Sequence, residues 1–448
     1  MVAVEQYHGI YGATAREIAA SAESAIRDGA LASGDALPTV RGLAAALGTS
    51  PATVNSAYRM LRERGFVVGD GRRGTRVAPR PALRATGGEG SPPPVPARAD
   101  LSIGLADPAL LPSIAPALAR IDIEAKLGVS GLEAADPDLL GAARLGFEGD
   151  GVPSDALAVV SGAMDGVERV LEAHLRPGDR VIVEDPCYPP IRDVLLALGL
   201  VPVPVAVDDT GMIPDLFGAA LDRRVQAVVT VPRAQNPLGA AIDEQRAGEL
   251  RVLLASHRDV LIVEDDHASL VAGAPFLSLA GSSWPRWAVI RALSKMLHPD
   301  LRVALLAGDP TTIARVEGRQ ALGPRWVSHI LQATAAELLR DPGFDEIVTR
   351  AREAYAGRRQ ALIGALAEHD VPAHGRSGLN VWVPVREEAP VARALLDAGW
   401  LVTAGEQFRF ASGPGIRVTT ATLDEGDASD VAAVIAAVEH AGRPRRAY

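Results

Sequence analysis

Ser294-Lys295-Met296-Leu297-His298-Pro299-Asp300-Leu301-Arg302 is the stretch on which the reading of this chain turns. Lys295 and Lys126 are the only two lysines among 45 basic residues, so Arg has replaced Lys almost everywhere else. A lysine kept against such a bias invites a chemical reason. An amine can shed its proton and add to a carbonyl carbon, whereas a guanidinium stays protonated. Chance survival on the surface is the plainer account, and it is the one taken for Lys126.

Upstream of this stretch, the apolar runs Val181-Ile182-Val183, Ala227-Val228-Val229 and Val260-Leu261-Ile262-Val263 alternate with helical patterns. Such alternation predicts an α/β domain with a mostly parallel sheet. Residues 79–99, rich in Pro and Gly, can sustain neither helix nor sheet and read as a linker. In front of the linker, the spacing predicts helices over 14–28, 40–47 and 53–64. A hairpin is expected over 66–77, with Arg72 and Arg73 at its tip. The expected organisation is therefore a head over 1–78, a linker over 79–99 and a body over 100–448. A chain of 448 residues is also too long for one hydrophobic core.

Charge separates the two parts. Residues 1–80 hold ten Arg against seven acidic residues, +3, while the total is −10, which leaves −13 for the rest. A basic head on an acidic body suits a protein whose head alone meets a polyanion. No stretch approaches the roughly 20 apolar residues of a membrane span. Met1-Val2-Ala3-Val4-Glu5 lacks the marks of a signal peptide, so the cytoplasm is the expected location. The single cysteine, Cys187, excludes an intrachain disulfide framework and a multi-cysteine zinc site.

Leu37-Pro38-Thr39-Val40-Arg41-Gly42-Leu43-Ala44 and Leu47-Gly48-Thr49-Ser50-Pro51-Ala52-Thr53-Val54-Asn55-Ser56-Ala57-Tyr58 resemble the winged helix-turn-helix of the GntR family. A helix starting near Pro51 would offer Ser50, Thr53, Asn55 and Ser56 to the major groove of double-stranded DNA. Arg41, Arg59, Arg72 and Arg73 would supply charge for phosphates. Tyr58 fits either the core or a phosphate.

The body resembles fold-type I aminotransferases, which bind pyridoxal 5′-phosphate, in five motifs that occur in that family's order. The resemblance places Ser161-Gly162-Ala163-Met164-Asp165 at the cofactor phosphate, through the amides of Ala163 and Met164. It places Tyr188, in Asp185-Pro186-Cys187-Tyr188, against the pyridine ring. Asn236, in Pro232-Arg233-Ala234-Gln235-Asn236-Pro237, would donate to the phenolic oxygen. Asp265, in Glu264-Asp265-Asp266-His267, would contact the pyridine nitrogen. His267 stands where the family has a Tyr bonded to the phenolic oxygen, and an imidazole could donate there too. No second His lies nearby, so no metal site is expected. Lys295 would form the Schiff base, with Ser294 and Arg302 neutralising phosphate, while Ala292 stands where many members keep a hydroxyl. Arg417, in Gly415-Ile416-Arg417-Val418, matches the arginine that clamps a substrate carboxylate.

A GntR-type head before such a body is the layout of the MocR subfamily of bacterial regulators. Asp-Asp-His, Trp287-Ala288-Val289-Ile290-Arg291 and Trp326-Val327-Ser328-His329 are most similar to its PtsJ-type branch, associated with vitamin B6 salvage and pyridoxal kinase expression. The resemblance implies a homodimeric, pyridoxal phosphate-responsive DNA-binding regulator. An active aminotransferase with an added head is the alternative. His267, Ala292 and the degenerate segment Gly131–Asp138 weigh against it.

Overall fold

Thr14 and Glu17 open the first helix, α1 (Ala15–Arg27), by capping each other's amides. The Thr14 hydroxyl accepts from Glu17 N at 3.3 Å, and the Glu17 carboxylate accepts from Ala13 N at 2.9 Å and Thr14 N at 3.2 Å. Helix α2 (Val40–Leu47) is capped by Thr39, whose hydroxyl accepts from Gly42 N at 3.1 Å, and is stopped by Gly48 at φ 63°. Helix α3 (Pro51–Glu63) starts two residues before the predicted 53, because Pro51 takes the first helical position and Ser50 caps it, accepting from Thr53 N at 3.0 Å.

Along α3, Val54, Ala57, Tyr58 and Leu61 recur at helical spacing and are all buried. Asn55 and Arg59, on the opposite face, are exposed. The Tyr58 hydroxyl donates to the Pro38 carbonyl at 2.7 Å, so Tyr58 is a core residue. Strands β1 (Val67–Gly69) and β2 (Thr75–Val77) pair antiparallel as the wing.

The computed structural model describes residues 9–27, 30–32, 34–63, 66–69, 74–77, 98–128, 133–280 and 284–441. Arg72, Arg73 and the expected linker up to residue 97 lie outside the described residues. Ala99, expected to end the linker, already lies in a strand with Asp100 that runs parallel to Trp400–Leu401. The chain divides into two compact units. One is residues 1–85 with 175–180 and 193–201, and the other is the remainder. No helix among the described residues is long and apolar enough to cross a membrane.

The larger unit is built on strands β3 (Leu157–Val160), β4 (Arg180–Asp185), β5 (Val201–Asp208), β6 (Gly211–Met212), β7 (Ala227–Thr230), β8 (Leu261–Asp266), β9 (Trp287–Ala292) and β10 (Ala304–Gly308). Their order in the sheet is β3-β10-β9-β8-β7-β4-β5-β6. Strands β4, β7, β8 and β9 are mutually parallel where they pair, and β10 is antiparallel to both β9 and β3. Two reversals restore direction, so β3 ends at the same edge as β9. Helix α4 (Ala163–His174) begins there.

Every residue of β7, β8 and β9 is buried, which accounts for their continuous apolar runs. In β8 the run gives way at its carboxyl end to Glu264, Asp265 and Asp266. That edge is where open α/β sheets take their ligands.

A second core lies between helices α5 (Phe344–Glu368) and α6 (Glu425–Ala441) and a three-stranded antiparallel sheet. Its strands are β11 (Asn380–Pro384), β12 (Thr403–Ala404) and β13 (Gly415–Thr419), in the order β11-β13-β12.

Replacing the fully buried Leu61 by Ala should destabilise the N-terminal unit by roughly 2–5 kcal/mol, and Asn55→Ala should stay within about 0.5 kcal/mol. Denaturant unfolding of the two variants checks this, and an equal loss at Asn55 would contradict the assignment of faces.

Candidate functional site

Consecutive residues on a strand face opposite ways, so Asp265 and Asp266 at the end of β8 enter different surroundings. Asp266 is fully buried between two arginines. Its Oδ1 accepts from Arg233 Nε at 2.8 Å, and its Oδ2 accepts from Arg233 Nη2 and Arg291 Nε, each at 2.8 Å. Both arginines also reach Asp150 Oδ2, at 3.4 and 2.5 Å. Arg291 lies over the ring of Phe147, 4.6 Å from its centroid. Burial alone would raise the Asp266 carboxyl, but the two guanidinium partners outweigh it and hold the group below the usual carboxylate range. Two cations and two anions thus neutralise each other, and removing one would strand a buried charge.

Asp265 has no such company. Its Oδ1 is buried without a hydrogen-bond partner among the described residues. Burial, then the charges of Asp266 and Glu184, push its carboxyl up to about 7, against the pull of Lys295. Glu184 is also pushed up to about 7 by burial, although Thr230 Oγ1, Val231 N and Gln235 Nε2 donate to it at 2.7, 2.9 and 3.0 Å. A buried carboxylate oxygen without a donor is suited to an N–H or cationic group.

All nine residues expected at the cofactor line one cavity of about 200 Å³. Ala163 and Met164 reach it from the start of α4, and Tyr188 from the turn after β4. Asn236 comes from the turn after β7, Asp265 and His267 from the end of β8, and Ser294, Lys295 and Arg302 from the segment after β9.

Gly162 sits at φ 97°, a backbone conformation that favours glycine. A Cβ there would stand 2.5 Å from Arg302 Nη2, itself carried by a residue at φ 49°. The guanidinium donates to the Ser161 carbonyl at 3.4 Å, beside the first turn of α4. A fixed cation next to a helix N-terminus makes this end of the cavity suited to an anion. Lys295 Nζ donates to the Gly104 carbonyl.

His267 lines the cavity and also meets the backbone. Its Nε2 lies 2.8 Å from the Ala234 carbonyl, which can only accept, so Nε2 carries the proton. Burial, then the charge of Lys295, lowers the ring's pKa to about 4 and keeps it neutral. The single N–H is spent on Ala234, and the nitrogen left over, Nδ1, is an acceptor.

Arg417 is not among the residues lining the cavity. Its Nη1 donates to Asn236 Oδ1 at 3.2 Å, and its Nη2 donates to the Ser102 carbonyl and to Thr403 Oγ1. The expected carboxylate clamp is thus engaged within the fold, where it fixes the Asn236 amide.

Gly104, Leu105 and Asn380 also line the cavity, and the sequence reading did not single them out. Asn380 left one signal, a polar residue heading the buried run Asn380-Val381-Trp382-Val383. Gly104 and Leu105 left none, because the pairing of Ala99–Asp100 with Trp400–Leu401 brings them in from far away in sequence. In the smaller unit, Arg41, Ser50, Asn55 and Arg59 are exposed, while Thr53 and Ser56 are half-buried. The Ser50 and Thr53 hydroxyls bond each other at 2.8 Å as part of the cap.

Residues 142–435 match the family model "Aminotransferase class I and II", and residues 14–77 match "Bacterial regulatory proteins, gntR family". The vitamin B6 salvage pathway transcriptional repressor PtsJ of Salmonella typhimurium is 37% identical over 95% of this chain and 98% of that protein. The chain belongs to the GntR-family regulators that carry an aminotransferase class I and II domain. Another similar regulator is the pyridoxine biosynthesis regulator PdxR of Corynebacterium glutamicum, 28% identical over 76% of each chain. The kynurenine aminotransferase of Pyrococcus horikoshii shares the fold of the larger unit, with a TM-score of 0.71 and 22% identity over 77% of this chain and 91% of that one.

Because folding raises the Asp265 carboxyl to about 7 from 3.8, the native state favours the protonated form, and stability falls as pH rises between those values. Cofactor-free Asp265→Asn should therefore be more stable than wild type above pH 7, by on the order of a few kcal/mol. The gap should close towards pH 4, and unfolding midpoints measured across this range test it. A gap independent of pH would contradict the assignment.

Proposed function

We propose that this GntR-family regulator binds pyridoxal 5′-phosphate at Lys295 and changes its affinity for operator DNA in response. The observation that carries the reading is the pairing of an unpartnered buried carboxylate, Asp265, with Lys295 and the Gly162–Arg302 anion end in one cavity.

The residues fit the group. Asp265 would take the pyridine N–H, Tyr188 the ring face, and Asn236 the phenolic oxygen. The turn at Ala163 and Met164, with Ser294 and Arg302, would take the phosphate. When bound, the cofactor supplies an aldehyde that reacts with amines and a ring that withdraws electrons. Asp265 would meet a positive partner in place of none, and its carboxyl would fall back towards the ordinary range. Arg417 holds Asn236 in orientation. An amino-acid effector that took Arg417 as a carboxylate partner would compete with Asn236 and Ser102 for its Nη donors.

The regulated process in this reading is vitamin B6 salvage, including expression of pyridoxal kinase, in keeping with the two vitamin B6 regulators among its relatives. The regulator acts in the cytoplasm as a homodimer, since paired heads suit paired half-sites. Asn55 and Ser56 address base edges, and Arg41 and Arg59 address phosphates. The cofactor acts by favouring one arrangement of the protein over another. An aminotransferase reading retains Lys295 and Asp265, but His267 has no N–H left for the phenolic oxygen.

The test is a mobility shift on the DNA upstream of the chain's own gene, with and without pyridoxal phosphate. Affinity should change by about fivefold or more, a normal allosteric coupling, and an unchanged affinity would overturn the proposal. Visible absorbance from bound cofactor should vanish in Lys295→Ala. Turnover of an amino acid would favour the enzyme reading instead. Arg59→Ala should weaken binding to every sequence alike and lower the salt slope by about 1, as loss of one phosphate contact does.

A further inference from the structure

The segment 99–107 enters the larger unit directly after the expected linker, and the fold grips it at both ends. Ala99 and Asp100 pair with Trp400 and Leu401. Leu101 N donates to Leu401 O at 2.8 Å, and Thr419 N donates to Leu101 O at 2.9 Å. The Ser102 carbonyl accepts from Arg417 and, at 3.1 Å, from Thr403 Oγ1. At the far end, Asp107 is buried and its N donates to the Tyr355 hydroxyl at 3.1 Å. Between these grips, Ile103 and Gly104 are half-buried and Leu105 is exposed. One contact that ties this middle part to the cavity is the bond from Lys295 to the Gly104 carbonyl.

We propose that residues 103–105 form a latch, held by Lys295 while its ammonium is free and released when pyridoxal phosphate takes that amine. This rests on the reading of Lys295 as the cofactor-holding residue and adds how occupancy leaves the site.

The chemistry requires the exchange. A protonated amine and an aldehyde give a protonated C=N bond and one water. The aldehyde supplies the oxygen of that water and the amine two of its three hydrogens. Nζ keeps one proton, fixed in the plane of the new double bond, and is no longer a rotatable three-proton donor. The one N–H that is left is held in that plane and cannot turn to follow the Gly104 carbonyl as the free ammonium does. The neighbouring grip is coupled to the same cavity, because the guanidinium that holds the Ser102 carbonyl also holds Asn236, which lines it. Cofactor occupancy is thereby registered in the backbone that continues into the linker.

The experiment measures hydrogen–deuterium exchange in peptides covering 101–107 of the full chain, as wild type, Lys295→Ala and Lys295→Arg, with and without pyridoxal phosphate. Wild type should exchange about tenfold faster once loaded, the scale of losing one charge-assisted hydrogen bond. Lys295→Ala should exchange fast in both conditions. Lys295→Arg, which keeps a charged donor but cannot form the C=N bond, should exchange slowly in both. On DNA, cofactor-free Lys295→Ala should bind like loaded wild type.

Lys295→Ala exchanging as slowly as cofactor-free wild type would overturn the latch, as would Lys295→Ala matching cofactor-free wild type on DNA. If the absorbance band shows attachment but the exchange of wild type does not change, the latch fails and the cofactor reading stands. If no band forms, the cofactor reading fails first.

Discussion

Two carboxylates side by side at the end of a buried strand cannot share one environment, and β8 separates them by its own pleat. Asp266 is turned to Arg233 and Arg291, which with Asp150 complete a neutral cluster of two cations and two anions. Asp265 is turned the other way and keeps an oxygen without a partner. The cluster therefore does more than offset charge. It pins β8, the turn after β7 and the end of β9 to one another, and so fixes the cavity edge against which Asp265 stands. Asp265 is left in a state that a ligand with a pyridinium N–H would relieve. Burial of this kind stores part of the affinity for the ligand as instability of the empty site.

The sheet order does the gathering. Residues from four strand ends and a helix start meet because β4, β7, β8 and β9 run parallel and β3 is returned to their direction through β10. A parallel sheet buried on both faces can tolerate polar groups only at its ends, so chemistry collects there. Gly162 serves this edge through its φ of 97°, which lets the chain turn from β3 into α4 beside Arg302.

What was legible in the sequence was local. The helix over 40–47, the helix near 53–64, the hairpin pairing within 66–77 and the apolar strands all follow from short-range rules and reappear in the fold. The nine cavity residues were legible through resemblance, because each sits in a short motif similar to one of fold-type I aminotransferases. What escaped was long-range. Asp150 lies about a hundred residues from its partners, and Gly104 lies nearly two hundred from Lys295, so no spacing announces either. The state of His267 escaped for another reason. Its identity was plain, but the direction of its one proton is set by the Ala234 carbonyl, whose position depends on a backbone turn at φ 54°.

These long-range contacts bear on the role proposed for the site. A group that must turn over substrate needs donors that follow the charge as it moves, and an open cation for the substrate carboxylate. Here the neutral His267 gives its N–H to the Ala234 carbonyl, and Arg417 gives Nη donors to Asn236, Ser102 and Thr403. Both commitments tie the cavity to the backbone around it and leave fewer groups free for moving charge. The groups suited to holding a phosphorylated pyridine, namely Asp265, Arg302 and Lys295, remain directed at the cavity. This arrangement supports the proposal that the site registers cofactor occupancy. In a chain that also carries a GntR-family head, registering occupancy is the more useful property.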